Sequence, residues 1–391
     1  MRRIGFAAMM LSAGLLAGQS AMAQQQGVSK DEILIGTIQD LSGPLAGYGK
    51  DLRNGMQLRI AEANEKGGVN NRKIKLLVED SGYDPKRAVL AAQKLVNQDK
   101  IFVMAGSLGT GVNNAALPVI TGKNIVNFFP AALSRDMYEP LHKLKFAFVS
   151  SYYEQIVPAV GILYKEKGAK KPCIIYQDDE YGLEILRGAE AGLKNIGVEL
   201  GERTSFKRGA TDFSSQVARL KAANCDFVVL GTLIRETVGT INEARKLDFS
   251  PVMLGAFGTY TDLIHKLGGK AMDGFYSTMT VQHPYEDNAP EAIKPWMAKY
   301  RAMFNEAPTA YSIYGYTILD RLIMAMDKAG ANLTTDSLVD AIETLNVPVD
   351  MFGFPAMSFS KTKHLGSDAA RLSQIQDGRW KVVLDYDKMK P

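Results

Sequence analysis

The stretch "CDFVVLGTLIRETVGTINEARKLDFSPVMLGAF", residues 225–257, contains one complete strand–helix–strand repeat. Apolar, β-branched runs at its two ends, "CDFVVLGT" and "PVMLGAF", predict β-strands, and residues 235–246 between them predict an α-helix. Strands that are separated by a helix of about 10 to 15 residues are typical of parallel β-sheets. The stretch therefore predicts an α/β fold with parallel strands.

The same alternation extends through most of the chain, in two series. The first series has four predicted strands, "EILIGTIQDL", "KIKLLVEDS", "IFVMAGS" and "NIVNFFP". One of its helices begins with Asp84 as N-cap and Pro85 at the first helical position. The second series follows "FAFVSSYYEQ" and adds the strands "KPCIIYQDD" and "VELGERTSF" to the two named above. Two series predict two doubly wound lobes, each with a parallel sheet.

The N-terminal residues predict a cleaved signal peptide. Arg2 and Arg3 form a positive region, the apolar run "IGFAAMMLSAGLLAG" follows, and residues 21–23 have the small-x-small pattern of a signal-peptidase site. This run is shorter than the roughly 20 residues that a membrane-spanning helix needs. We therefore expect residues 1–23 to be removed after Ala23 and the mature chain to be exported.

Charge and composition exclude several classes of function. Loss of the two N-terminal arginines lowers the formal charge of the chain from +4 to +2, and no basic stripe predicts a nucleic-acid partner. The four histidines do not fall in a metal-ligand spacing, and no nucleophile elbow or P-loop is present. "GSLGTG" at 106–111 follows a strand, but it lacks the spacing of a dinucleotide-binding loop. We expect no enzyme activity, no catalytic residue, no metal and no cofactor.

The two cysteines, Cys173 and Cys225, each begin an apolar run. If these runs are neighbouring parallel strands, the cysteines lie side by side at one sheet edge and can form a disulfide in an oxidising compartment. Two buried free thiols are the other interpretation that the sequence allows.

Ligands of doubly wound sheets bind beyond the carboxyl ends of the strands. The loops to consider are therefore 39–49, 106–111, 129–135, 177–182, 231–236 and 256–262. Most of these loops begin with small residues, which leaves backbone N–H groups and helix N-termini free to face an anionic group such as a carboxylate.

Five motifs resemble the type I periplasmic substrate-binding proteins of ABC importers, in the branch of the Leu/Ile/Val-binding proteins. They are "LSGPLAGYG", "AEANEKGGVNNRKIKLLVEDSGYDPKRAV", "FFPAALSRD", "YQDDEYG" and "GATDFSSQVARLKAANCDFVVLG". The resemblance implies a periplasmic, two-lobed, monomeric protein that closes on its ligand by a hinge motion and then docks on an ABC permease in the inner membrane.

The resemblance also implies domain boundaries, with three crossovers between the lobes. Lobe one would comprise 31–148 and 281–357, and lobe two 149–280 and 358–391. The hinge strands would lie near Phe148–Ser151, Ser277–Val281 and Pro355–Ser358. A disulfide that the family often has in lobe one would fall at Tyr83 and Gly109, so that bridge is absent.

Residues that bind the ligand in this family are only partly kept. Thr110 falls at a serine that holds the ligand carboxylate, and Ala131 matches an alanine of the same site. Leu133 replaces a threonine that helps to bind the α-ammonium, and Leu233 replaces a tyrosine. Phe257 replaces the glutamate that balances the α-ammonium.

These replacements predict a carboxylate ligand without an amine, because a buried ammonium without a counter-charge costs several kcal/mol. An aromatic acid of the benzoate or cinnamate type suits the apolar wall. An amide such as urea, or another small solute, is one alternative. A branched-chain amino acid remains the other alternative if Phe257 packs behind its loop. In that case one of four acids would serve the ammonium: Glu154, Asp178, Glu180 or Glu236.

The complete set of predicted ligand-binding residues is Ser42, Tyr48, Leu108, Gly109, Thr110, Ala131, Ala132, Leu133, Tyr152, Tyr153, Tyr181, Leu233, Arg235 and Phe257. Arg235 is either a partner for a second anionic group or a solvated residue at a helix start.

Overall fold

Two separate β-sheets organise the chain in the computed structural model, which describes residues 25–389. The predicted signal peptide, residues 1–23, lies outside the described residues. The first sheet contains β1 (Glu32–Gln39), β2 (Lys73–Asp80), β3 (Val103–Ala105), β4 (Val126–Phe128) and β5 (Lys145–Phe146). Its strands are parallel and follow the order β2-β1-β3-β4-β5. The helices between them are α1 (Ala46–Glu65), α2 (Pro85–Gln93) and α3 (Thr110–Thr121).

The N-terminus of α2 forms as the sequence predicts. The carboxylate of Asp84 accepts hydrogen bonds from the backbone N–H groups of Lys86 and Arg87, and Pro85 begins the helix. Capping of this kind satisfies N–H groups that have no partner within the helix.

The second series of strands and helices forms the second sheet and its cover. Its strands are β6 (Pro172–Gln177), β7 (Arg203–Phe206), β8 (Phe227–Gly231), β9 (Val252–Gly255) and β10 (Tyr276–Met279). Its helices are α4 (Tyr152–Glu166), α5 (Glu180–Lys194), α6 (Ser214–Ala222), α7 (Ile234–Lys246) and α8 (Leu263–Gly268).

The C-terminal part of the chain contains α9 (Lys294–Phe304), α10 (Ala310–Ala329), α11 (Thr335–Glu343), β11 (Asn346–Val347), β12 (Met357–Ser358), β13 (Arg371–Gln376) and β14 (Arg379–Leu384). It adds two strands to the second sheet and forms a separate two-stranded sheet from β11 and β12. The second sheet has the order β14-β13-β10-β9-β8-β6-β7, and its last two strands in the chain, β13 and β14, run antiparallel to their neighbours. The sequence predicts a purely parallel sheet, so the prediction misses this antiparallel edge.

The chain reaches the last strands of the second sheet from a segment that lies beside the first sheet. β11 and β12 pair with each other, and Leu365 bridges to Ala147 beside the first sheet. The chain enters the second sheet only at Arg371. Leu365 thus lies beside the first sheet, and the domain boundaries and hinge strands that the resemblance implies stay predictions.

A close helix crossing fixes α10 against α1. A Cβ atom added to Gly55 would lie 2.0 Å from the carbonyl oxygen of Ser312, and one added to Gly315 would lie 2.0 Å from that of Leu52. Only glycine permits this approach. It brings the N-terminal end of α10 to the carboxyl edge of the first sheet, where the candidate site lies.

Cys173 and Cys225 form a disulfide in the structure. Cys173 belongs to β6, which pairs in parallel with β8, the strand that follows Cys225. The cysteines therefore meet at the same edge of neighbouring strands. Among residues 25–389, no helix has both the length and the apolar character of a membrane-spanning segment.

Candidate ligand-binding site

An enclosed cavity lies between the carboxyl ends of the two sheets. The first lobe contributes Leu45, Tyr48, Tyr83, Leu108, Gly109, Thr110, Ala131, Leu133, Tyr311 and Tyr314 to its wall. The second lobe contributes Tyr152, Tyr181, Leu233, Phe257 and Gly258. The volume of the cavity is about 20 Å³, which is enough for about one water molecule. A larger ligand therefore requires the lobes to separate or the wall side chains to reorient.

Phe257 faces the first lobe across this cavity and is not packed behind its own loop. Its ring stacks on that of Tyr314 with a centroid distance of 4.7 Å and lies 5.5 Å from the ring of Tyr311. Its side chain is buried, with an exposure of 3%. Tyr311 in turn stacks on Tyr48 at 3.9 Å. One side of the cavity is therefore a continuous group of four aromatic rings from both lobes.

The N-terminus of α3 also belongs to the wall of the cavity. Gly109 precedes this helix with a φ of 99°, a left-handed conformation that favours glycine, and Thr110 is the first helical residue. The first N–H groups of a helix have no carbonyl partner within it and attract an anion. The Thr110 hydroxyl is buried and makes no hydrogen bond of ordinary geometry in the described chain. Tyr152 lies beside this hydroxyl.

The tyrosine hydroxyls of the wall are neutral donors. Burial raises the pKa of Tyr152 to about 12 and the pKa values of Tyr48 and Tyr181 well above their usual range. The hydroxyls of Tyr48 and Tyr181 already donate to the backbone carbonyls of Gly258 and Thr232, at 2.7 Å and 2.8 Å. Tyr48 thereby joins the two lobes directly.

No charged side chain belongs to the wall of this cavity, as far as the structure describes the chain. The four acids that could balance an ammonium, Glu154, Asp178, Glu180 and Glu236, all lie outside the wall. Glu154 accepts a hydrogen bond from the Tyr138 hydroxyl at 3.0 Å, and Glu236 pairs with Arg235 at 3.3 Å. The cavity can therefore compensate a negative charge through N–H and O–H donors, but it offers no carboxylate to a positive charge.

Ten of the predicted ligand-binding residues belong to the wall, and four do not. Ser42 is exposed and donates to Asp80 at 2.5 Å, and Ala132 packs in a separate small cluster. The Tyr153 ring lies under the guanidinium of Arg135 at 3.8 Å, and the Arg235 side chain is 45% exposed. These four side chains point away from the cavity, so a direct role in ligand binding stays a prediction for them.

Five wall residues are absent from the sequence prediction: Leu45, Tyr83, Gly258, Tyr311 and Tyr314. Tyr311 and Tyr314 are three residues apart on α10, so they lie on one helix face. That spacing in "AYSIYGY" is the signal available in the sequence, although α10 follows no strand of either predicted series. Tyr83 packs its ring on Gly109, where an added Cβ would lie 2.8 Å from the ring. An aromatic contact thus occupies the two positions at which the resemblance noted in the sequence would place a disulfide.

Known proteins resemble this chain over most of its length. A sequence profile of the family described as periplasmic binding protein matches residues 32–379. A Leu/Ile/Val/Thr-binding protein from Salmonella typhimurium is 28% identical over 322 residues, which cover 82% of this chain and 86% of that protein.

Two solved structures share the fold. A fatty acid ABC transporter substrate-binding protein from Thermomonospora curvata has a TM-score of 0.84 at 24% identity, with 93% of this chain and 94% of that chain covered. A branched-chain amino acid ABC transporter from Thermus thermophilus with bound valine has a TM-score of 0.82 at 20% identity, with coverage of 92% and 97%.

A second, polar cavity of about 710 Å³ also lies between the lobes, and Asp51 of α1 is part of its wall. The Thr309 hydroxyl donates to the Asp51 carboxylate at 2.7 Å. Burial and, to a smaller extent, the nearby carboxylates of Asp262 and Glu306 raise the pKa of Asp51 to about 7, although the Thr309 hydrogen bond and Lys50 act to lower it. The folded protein therefore holds a proton on Asp51 that the unfolded chain releases near its ordinary pKa.

Asp51→Asn should flatten the pH dependence of stability. Because the pKa of Asp51 is raised in the folded state, its contribution to stability is complete below about pH 4 and is lost as the pH rises through about 7. The melting temperature of the wild-type protein should fall more steeply between pH 5 and pH 8 than that of Asp51→Asn. Asp340→Asn, which changes an exposed carboxylate on α11, is the control. Parallel curves for Asp51→Asn and wild type would contradict the assignment.

Proposed function

Since this chain belongs to the periplasmic binding protein family, we propose that it delivers a small carboxylate without an α-amino group, an aromatic acid of the benzoate or cinnamate type, to an ABC permease. It acts in the periplasm as a monomer, after cleavage of the N-terminal signal peptide, and the permease lies in the inner membrane. The lobes open to admit the ligand and close around it.

The carboxylate of the ligand binds at the N-terminus of α3. The first N–H groups of this helix, the Thr110 hydroxyl and the Tyr152 hydroxyl supply donors at one end of the cavity. Hydrogen bonds from such donors to a carboxylate are charge-assisted and about twice as strong as neutral ones. This end of the site requires no lysine or arginine side chain.

The absence of an acid from the cavity wall carries the proposal, together with Phe257 on that wall. An α-ammonium that is enclosed without a carboxylate loses its hydration and gains no counter-charge, at a cost of several kcal/mol. Amino acids that place their carboxylate at this helix terminus are therefore disfavoured by the α-ammonium on the neighbouring carbon atom.

The ring of the ligand binds among the aromatic side chains. Phe257, Tyr48, Tyr311 and Tyr314 provide faces and edges on which a benzene ring can pack, each such contact contributing about 0.5–1.5 kcal/mol beyond area burial. A branched-chain amino acid remains the alternative, in line with the name of the Salmonella typhimurium relative, and an amide such as urea is a further one.

A thermal-shift screen tests the ligand class. Purified protein is heated with benzoates, cinnamates, aliphatic acids, leucine, valine and urea. A ligand at 100 times its Kd adds about 2.7 kcal/mol to the free energy of unfolding, which raises the melting temperature by several degrees. We expect the largest shifts from the aromatic acids. A shift with leucine or valine and none with any aromatic acid would refute the proposal. Larger shifts with aliphatic acids than with aromatic acids would refute the assignment of an aromatic ring to the ligand.

Phe257→Glu should weaken the binding of cinnamate about 100-fold in isothermal titration calorimetry. The new carboxylate enters an apolar wall and repels the ligand carboxylate. Phe257→Leu is the matched control, because it keeps the wall apolar and removes only the aromatic contact, with an expected loss of less than about 10-fold. The double variant Leu133→Thr/Phe257→Glu should gain affinity for leucine. Unchanged cinnamate affinity in Phe257→Glu would exclude Phe257 from the ligand contact.

A further inference from the structure

Arg208, in the loop between β7 and α6 of the second lobe, contacts both lobes at once. Its Nη1 donates to the backbone carbonyl of Tyr83 in the first lobe at 2.9 Å, and its Nη2 donates to Oδ2 of Asp179 in the second lobe at 2.5 Å. The guanidinium also lies over the Tyr83 ring, 4.5 Å from its centroid. The side chain is 24% exposed, so this bridge is largely shielded from solvent.

The residues that Arg208 joins hold the wall of the ligand cavity in place. Tyr83 lines the cavity and has a φ of 60°, a left-handed conformation that is uncommon for a tyrosine. Asp179 caps α5 by accepting from the backbone N–H of Tyr181, another wall residue, at 3.1 Å. Arg208 thus connects Tyr83, a wall residue of the first lobe, with Asp179 of the second lobe. Asp179 in turn caps the helix that carries Tyr181, a wall residue of the second lobe.

Arg208 also packs against the carboxylate end of the site. A Cβ atom added to Gly111, in the first turn of α3, would lie 2.8 Å from Nη2 of Arg208. The same added Cβ would lie 3.0 Å from Oε2 of Glu180, so the guanidinium and this carboxylate both lie beside the first turn of the helix to which the proposed function assigns the ligand carboxylate. Arg208 is not part of the cavity wall, so it reaches this end of the site from behind.

We propose that Arg208 is a positioning residue for ligand binding, which holds the second lobe closed over the carboxylate end of the site through Tyr83. Its bonds to the first lobe exist only when the lobes are together, so they stabilise the closed form and not the open one. If these contacts persist in the closed form whose wall side chains have reoriented around a ligand, they raise the affinity for every ligand by the same factor. The inference rests on ligand binding between two lobes and is independent of the chemical class of the ligand.

Lysine cannot replace arginine in this role. The planar guanidinium donates in two directions while it stacks on a ring, whereas an ammonium is a compact point charge without a stacking face. The neighbouring Lys207 offers a matched control, because it is 84% exposed and pairs with Asp178 of the same lobe.

The test compares Arg208→Ala, Arg208→Lys and Lys207→Ala with the wild-type protein. Single-molecule energy transfer between dyes on the two lobes measures the closed fraction, with and without ligand. Calorimetry with cinnamate and with leucine measures affinity. We expect Arg208→Ala to lower the closed fraction and to weaken each measurable affinity by the same factor, about 10-fold to 100-fold. The closed fraction and the affinities of Arg208→Lys should lie between those of Arg208→Ala and wild type. Lys207→Ala should match wild type in both measurements.

Two results would overturn the inference. One is an unchanged closed fraction in Arg208→Ala, whatever happens to affinity, because Arg208 would then not act through closure. The other is a loss of affinity that differs between cinnamate and leucine where both bind. Binding of leucine alone would refute the aromatic-acid proposal and still measure the effect of Arg208.

Discussion

A charge enclosed between the two lobes needs a partner enclosed with it, and this requirement governs the site. The wall includes the α3 N-terminus, Thr110 and Tyr152, which supply uncharged donors suited to a carboxylate. It also includes Phe257 and the α10 tyrosines, whose rings suit apolar groups but offer no counter-charge to an ammonium. The proposed function therefore depends on the charge that a ligand lacks as much as on the charge that it has.

The fold forms the wall of this cavity by bringing together segments that are far apart in the chain. Parallel strands direct their carboxyl ends toward the cleft from both sheets, which accounts for the loops that carry Thr110, Ala131 and Phe257. The close crossing of α1 and α10 adds the tyrosines. Contacts across the cleft then unite the halves, among them the hydrogen bond from Tyr48 to Gly258 and the ion pair of Arg135 with the buried Glu184 at 2.8 Å.

The sequence predicted the βα series and the strand-end loops because hydrophobic periodicity and turn residues are local signals. It did not predict the antiparallel β13 and β14, nor Tyr311 and Tyr314, because their places depend on contacts between segments far apart in the chain. Neighbours of true wall residues, such as Ala132 and Arg235, were included because loop position alone does not tell which way a side chain points. The state of Cys173 and Cys225 stayed open for the same reason, since strand order is not local information.

The most direct measurement compares two ligands that differ only in the α-amino group. Calorimetric titration of the wild-type protein with 3-phenylpropanoate and with phenylalanine isolates the contribution of the ammonium. The charge balance of the cavity predicts that 3-phenylpropanoate binds at least about 100-fold more tightly, in keeping with a cost of several kcal/mol for an unpaired enclosed ammonium. Equal affinities, or tighter binding of phenylalanine, would contradict it.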